Sequence, residues 1–168
     1  SILDPLNQID QKRPSKPQDI VLYGFGRIGR LVSRIMAQTT GPGNYYRLKA
    51  IVVRKGSNAN DLLKRASLLR RDSVHGSFHG TIRVDNESET LIINGNPVKI
   101  IYANGPKDFK YSDYGIDNPI VIDNTGVWRE NKDLSLHLES GASKVVLTAP
   151  AKGKVKNIVN GINNNILN

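Results

Sequence analysis

The sequence predicts an α/β fold: a doubly wound, mostly parallel sheet with an inserted antiparallel β segment. Three observations carry that prediction. Apolar, β-rich runs alternate with stretches of helical period. A glycine-rich turn joins the first run to the first helix. Midway along the chain the period drops to two, in three short runs separated by turn residues.

The elements follow in order. The first eighteen residues are polar and carry Pro5, Pro14 and Pro17, which predicts a loose arm over 1–18 and a folded domain over 19–168. "DIVLY" (19–23) is a short buried strand, and Ile28, Leu31, Val32, Ile35 and Met36 then fall at helical spacing. "TTGPGNYY" (39–46) ends that helix, and "RLKAIVV" (47–53) supplies a second strand, completing a βαβ unit. "SNANDLLKRASLLRRD" (57–72) reads as a helix with Ser or Asn caps and Arg70 and Arg71 near its end. "TIRV" (81–84), "TLIIN" (90–94) and "PVKIIYA" (97–103) read as an antiparallel meander. "PIVID" (119–123) is a further buried strand, "ENKDLSLHLESG" (130–141) a short helix closed by Gly141, and "SKVVLTAP" (143–150) a last strand stopped by Pro150.

Composition narrows the function classes. The 168 residues suffice for one domain that buries about two thirds of its unfolded surface. The chain has no cysteine, which excludes a disulfide framework, thiolate zinc sites and a cysteine nucleophile within these residues. No apolar run approaches the ~20 residues that span a bilayer, and the start lacks signal or transit patterning, so a soluble cytoplasmic chain without a membrane partner is expected. The net charge of +9 is local: residues 47–83 hold nine Lys/Arg against two Asp/Glu. Such a segment suits nucleic acid, an anionic surface or phosphorylated small ligands, and is equally the signature of a solvated face. His75, His79 and His137 have no partner pattern for a metal or a triad and read as surface or turn residues.

Gly24-Phe25-Gly26-Arg27-Ile28-Gly29 lies between the first strand and the first helix. In that context Gly24 makes the tight turn, Gly26 lets backbone approach a pyrophosphate, and Gly29 allows close helix–strand packing. The helix start then presents free N–H groups and a positive dipole end to phosphates. This predicts dinucleotide binding. Asn124, Thr125 and Gly126 in "IDNTGVW" and Thr148 in "LTAPAKG" fall at the carboxyl ends of later strands, where such sheets hold ligands; taken alone, each is also an ordinary polar turn.

Six ordered segments, "YGFGRIGRL", "RRDSVHGSFHGTI", "LIINGNPVKI", "VIDNTGVW", "HLESGASKVVLTAPAKG" and "VKNIVNGIN", resemble the NAD-binding domain of the glyceraldehyde-3-phosphate dehydrogenases, from about Asp19 to the last residue. The resemblance implies a Rossmann-type domain, a tetramer, and oxidative phosphorylation of glyceraldehyde 3-phosphate with hydride transfer to NAD or NADP. It implies that Arg27 and Ile28 belong to the pyrophosphate turn and that Asn104 lies against the adenine. Thr125 and Gly126 match the strand end beside the ribose and nicotinamide, and Thr148 a residue bordering the nicotinamide pocket. Phosphorylated ligands account for much of the basic charge, so a nucleic-acid partner is not expected, although a basic, catalytically silent binding module is the reading from a different class. Erythrose-4-phosphate dehydrogenase is the nearest enzyme rival.

Departures from the family pattern matter too. The family's nucleophilic cysteine follows a stretch like "NGINNNILN", and no cysteine is present here, so the chain is expected to be a cofactor domain without the catalytic domain, inactive alone. The arm and the longer "TTGPGNYYRLK" loop exceed the family outline and suggest an elongated subtype. A domain selective for NAD ends its second strand in Asp or Glu about 20 residues past the last glycine, where the carboxylate binds the ribose hydroxyls. Here that strand ends in Arg54 and Lys55, with Lys55 at the aligned position, 26 residues past Gly29. Two cations suit a 2′-phosphate, which predicts that the domain tolerates NADP alongside NAD and that Lys55→Asp shifts preference toward NAD; the alternative is that both side chains point to solvent, and adjacent residues of a regular strand do not face the same way.

Overall fold

The computed structural model describes residues 16–39, 44–57 and 60–167. The proline-bearing arm falls largely outside them, as do the middle of the "TTGPGNYYRLK" loop and Asn58. Strand β1 (Gln18–Tyr23), helix α1 (Arg27–Thr39) and strand β2 (Tyr46–Val53) form the expected βαβ unit, with Leu22 of β1 opposite Ile51 of β2 in parallel register. Gln18, assigned to the arm from sequence, already belongs to β1, where its backbone N–H donates to the Tyr45 carbonyl. Val21, Leu22, Ala50 and Ile51 are wholly buried. Both faces of these strands are covered, which is why they read as unbroken apolar runs.

Helix α2 (Asp61–Arg70) is shorter than the 57–72 expected. Arg71 is already extended, and Arg71–Asp72 (β3) pairs antiparallel with Gly76–Ser77 (β4) as a small separate ribbon. The Asp72 carboxylate causes the turn: Oδ1 accepts the amides of Val74 and His75, offering the backbone an alternative to another helical turn. The expected side-chain cap is also absent, since Asn60 makes no capping hydrogen bond.

Strands β5 (Ile82–Asp85), β6 (Thr90–Ile93) and β7 (Asn96–Tyr102) are the antiparallel meander, and β7 returns to pair in parallel with β2. Strands β8 (Ile120–Asp123) and β9 (Lys144–Leu147), with helix α3 (Asn131–Glu139) between them, extend the other side in parallel. The seven-stranded order is β5-β6-β7-β2-β1-β8-β9. The chain thus leaves β1 in one direction and resumes beside it in the other, so the carboxyl ends of β1 and β8 flank a topological switch point.

One core lies between the sheet and helices α1 and α2, through Ile20, Leu22, Leu62, Leu69 and Ile100. The other packs Val21, Val52, Val121 and Ile101 against Tyr111 and Ile116 of the segment linking β7 to β8. Beside α1 the first face is incompletely covered: Ile35, Ile120, Ile122 and Val146 line an apolar trough of about 400 Å³. His137 corrects the sequence reading, being fully buried and not a surface residue, because it lies on the inner side of α3 and meets Asp123 at the end of β8. His75 and His79 are exposed as expected.

Helix α1 starts hard against the end of β1. A Cβ at Gly29 would overlap the Gly24 carbonyl oxygen and approach its carbon to 3.3 Å. By helix propensity alone Gly29→Ala should stabilise by about 1 kcal/mol. The clash with backbone, which has no rotamer to move away, reverses the sign, and we expect a loss of about 1–3 kcal/mol in urea unfolding. Stability equal to or above that of the wild type would show that the turn has room to yield.

Candidate functional site

Past the last paired residues, single hydrogen bonds continue each ladder. The amide of Gly24 donates to Val52 O (2.8 Å), Ala103 to Val53 O (3.0 Å), Asn124 to Tyr23 O (2.7 Å) and Thr148 to Asp123 O (3.0 Å). The loops therefore leave the sheet from one edge and open a cleft of about 350 Å³. The turn after β1 supplies its floor with Gly24, Phe25 and Gly26, the segment after β2 supplies Arg54, the segment after β7 supplies Asn104, and the segment after β8 supplies Thr125 and Trp128.

The three glycines answer to different constraints. Gly24 has φ +92°, and a Cβ there would sit 2.8 Å from Thr125 Cγ2, so both backbone and packing require glycine. Gly29 is fixed by the carbonyl it touches. Gly26 has neither reason: its φ is ordinary and nothing lies within 4 Å of where its Cβ would be. The open space in front of it is cleft. The first α-helical bond of α1 runs from the Arg30 amide to Gly26 O (3.0 Å), so the amides of Arg27, Ile28 and Gly29 precede any intrahelical partner, and the first turn carries no acid to neutralise them.

Charge along the cleft is one-sided. Arg54 and Arg65 line it, and among the described residues no carboxylate does. Arg65 is committed, its Nε donating to Asp61 Oδ2 at 2.7 Å and its Nη2 to the Arg54 carbonyl at 2.8 Å, an arrangement that braces the end of β2. Arg54 itself is exposed at the strand end. Lys55, past the end of β2, is not in the lining, and its ammonium lies 5.5 Å from the centre of the Tyr102 ring. Across the cleft, Asp108 Oδ2 accepts the amides of Asn104 (2.8 Å) and Gly105 (2.9 Å), which fixes the loop and leaves the exposed Asn104 side chain at the cleft wall.

Beneath the floor lies a buried polar cluster. Asp123 is wholly buried; its Oδ1 accepts the Thr125 amide (2.7 Å) and hydroxyl (2.6 Å), and its Oδ2 faces His137 Nε2 at 3.2 Å. The Tyr23 ring meets His137 edge-on, with centroids 4.7 Å apart. Burial first, and then the Asp123 carboxylate, push the Tyr23 phenol well above its usual range, against a smaller opposite pull from Arg54. Burial raises Tyr111 in the same way, followed by its neighbours Tyr23 and Asp123.

Comparison with known proteins decides the family. The family model described as "Glyceraldehyde 3-phosphate dehydrogenase, NAD binding domain" matches residues 18–131. The chain belongs to the glyceraldehyde-3-phosphate dehydrogenase family. It is 60% identical over 146 residues to a glyceraldehyde-3-phosphate dehydrogenase-like protein of Pseudomonas aeruginosa, covering 86% of this chain and 32% of that one. A glyceraldehyde-3-phosphate dehydrogenase of Thermotoga maritima is 37% identical over 144 residues (86% and 40%), and the chloroplastic form B of Pisum sativum 36% over 147 residues (86% and 30%). The chain thus spans between 30% and 40% of the length of these relatives.

As an NAD-binding domain of this family, the chain sets its sequence-predicted residues out unevenly along the cleft. Gly24, Phe25, Gly26, Arg54, Asn104 and Thr125 line it. Arg27, Ile28 and Gly29 stand at the start of α1 beside it; Gly126 follows Thr125 with φ +66°. Thr148 lies one strand further out, its hydroxyl 3.2 Å from the Asp123 carbonyl and 3.4 Å from Asn124 Oδ1. Lys55 is outside the lining. The sequence reading missed Arg65, Trp128 and Tyr23, which line the cleft, and the Asp123–His137 pair under it. Trp128 stands in the quoted "IDNTGVW" segment, so its signal was available; Arg65 is one of two arginines on α2, and only the fold distinguishes it.

The raised phenols set a pH dependence. Both hydroxyls are protonated in the folded protein at neutral pH, so their contribution is complete below about pH 10, the unfolded value, and is lost as pH rises through the higher folded value. We expect urea stability to fall above about pH 10 and Tyr23→Phe to make that fall shallower. An identical alkaline slope in the variant would place the loss elsewhere.

Proposed function

We propose that this domain is the cofactor half of a phosphorylating glyceraldehyde-3-phosphate dehydrogenase that accepts NADP alongside NAD, and that its cleft is the dinucleotide site. Gly26 carries the reading: it is a glycine that neither its backbone nor its neighbours demand, at the mouth of a cleft edged by unpaired helix-start amides. A chain atom there would occupy the space a pyrophosphate needs. In this reading the amides of Arg27, Ile28 and Gly29 hold the pyrophosphate, Asn104 the adenine side, Thr125 and Gly126 the nicotinamide ribose, and Thr148 borders the nicotinamide.

The bound nicotinamide supplies the hydride acceptor. The chain's own residues bind and orient: the helix start offsets phosphate charge, Trp128 and Phe25 narrow the cleft, and the β8 end fixes Thr125. No residue here forms the bond to substrate, because the chain contains no cysteine thiol. In the full enzyme, glyceraldehyde 3-phosphate and the nucleophile meet on chain beyond this domain, and the apolar trough beside α1 is a surface of the kind that further chain covers. The enzyme is a cytoplasmic tetramer, as the resemblance implies, and the proline-bearing arm and longer β2-side loop assign it to an elongated subtype whose cofactor domain begins with β1 at Gln18.

A cleft that no carboxylate lines among the described residues supports tolerance of a 2′-phosphate, with Arg54, not Lys55, as the cation that meets it. Dissociation constants for both cofactors, measured by calorimetry at fixed low salt, test this. Gly26→Val should weaken both cofactors at least several-fold while the urea midpoint holds. Arg54→Asp should move the NADP-to-NAD affinity ratio toward NAD by about tenfold or more, the size of a lost charge-assisted hydrogen bond, whereas Lys55→Asp should move it by less than about threefold. Wild-type affinity in Gly26→Val would overturn the site, and a ratio insensitive to Arg54 would overturn the cofactor assignment.

A further inference from the structure

His137 is wholly buried on α3 and takes no part in the cleft lining. A buried imidazole facing a buried carboxylate needs a reason, since both groups are costly to remove from water. The groups facing it are Asp123 from β8, Tyr111 from the β7–β8 segment and Tyr23 from β1. Nε2 faces a carboxylate oxygen and is placed to donate to it, and the Tyr111 hydroxyl lies 3.5 Å from Nδ1.

The hydrogen bonds continue to the surface. Asp123 Oδ2, held by His137, leaves Oδ1 to accept both donors of Thr125, and the Thr125 hydroxyl in turn accepts the Val127 amide at 3.1 Å. The main-chain carbonyl of Asp123 accepts the Thr148 amide and hydroxyl. One buried residue thereby ties down both strand-end loops, and its own carboxylate rotation is set by an imidazole about which the cleft knows nothing directly. A carboxylate free to rotate would give Thr125 two alternative partners; one held at Oδ2 gives a single arrangement.

We propose that His137 is a positioning residue for the cofactor cleft, acting through Asp123 to hold Thr125 and the Val127 backbone in one geometry. The effect on affinity rests on the reading of the cleft as the dinucleotide site; the effect on Thr125 does not. His137→Gln keeps an N–H donor within reach of Oδ2, and His137→Leu removes it.

Three readouts on the chain test the proposal: NADP affinity from the fluorescence of Trp128, the sole tryptophan, the proton shift and exchange protection of the Thr125 amide by NMR without ligand, and the urea midpoint. We expect His137→Leu to weaken NADP by about tenfold, to move the Thr125 amide upfield and to lower its protection, with His137→Gln restoring most of both. A His137→Leu protein that is less stable yet keeps the wild-type Thr125 amide and affinity would overturn the proposal, leaving His137 as packing alone. Should His137→Leu fail to fold, a His137→Gln protein with a Thr125 amide as exposed as in an unstructured loop would overturn it as well. Wild type that binds no dinucleotide while Thr125 responds as expected would sink the cofactor reading and leave the positioning role standing.

Discussion

The structure turns on a single close contact, that of Gly29 with the Gly24 carbonyl. Because no Cβ intervenes, α1 begins within van der Waals distance of the end of β1, and its first amides open onto the sheet edge instead of being carried outward by a longer loop. That placement fixes the direction of α1 across the sheet, which in turn brings Val32 and Met36 onto the core and leaves the β1–β8 crevice open. Gly24 belongs to the same constraint from the other side, since its positive φ and its contact with Thr125 Cγ2 let the β8 end approach the turn. A turn that tight leaves polar groups underneath, and the Asp123 carboxylate answers them by accepting the amide and hydroxyl of Thr125.

Charge follows from the same geometry. The helix start is positive and unneutralised, Arg54 follows the end of β2, and Arg65 is drawn back into the Asp61 pair that braces that end. Acidic residues are kept off the cleft wall: Asp108 is bound to its own loop amides and Asp123 lies beneath the floor. An anionic, extended ligand is what such a surface attracts. The basic segment that composition alone also offers to nucleic acid is divided in the fold: Arg54 and Arg65 line the cleft, Arg65 is held by Asp61, Arg47 pairs with Asp19 at 2.8 Å, and Lys55 lies over an aromatic ring.

Much of this was legible in the sequence. Strand runs, the glycine turn and the meander are local signals, and β1, α1, β2 and β5 to β8 appear within a residue or two of where period and turn chemistry put them, while β9 ends at Leu147, three residues before Pro150. Helix α2 overran because Asp72 looks like a helix end in sequence but acts in space as a turn former, collecting the amides of Val74 and His75. His137 was misread because burial on a short helix depends on what lies across from it, and Asp123 is fourteen residues away. Arg54 and Lys55 both lie past Val53, the last residue of β2, so strand alternation does not reach them, and only the fold shows Arg54 in the cleft lining and Lys55 beside the Tyr102 ring. Arg65 reaches the site by tertiary packing of α2 against the end of β2, for which no spacing rule exists.

The account stands most directly on where a dinucleotide touches the protein. In a nitrogen–proton correlation spectrum titrated with NADP, the amides of Gly26, Ile28, Gly29, Asn104 and Thr125 should shift together with one saturation curve. Those of Arg71 and Arg83 on the basic segment away from the cleft should stay in place. Shifts that gather on Arg71, Arg83 and their neighbours while the Gly24–Gly29 turn stays silent would contradict it, and would make the turn a structural joint and the basic face the binding surface.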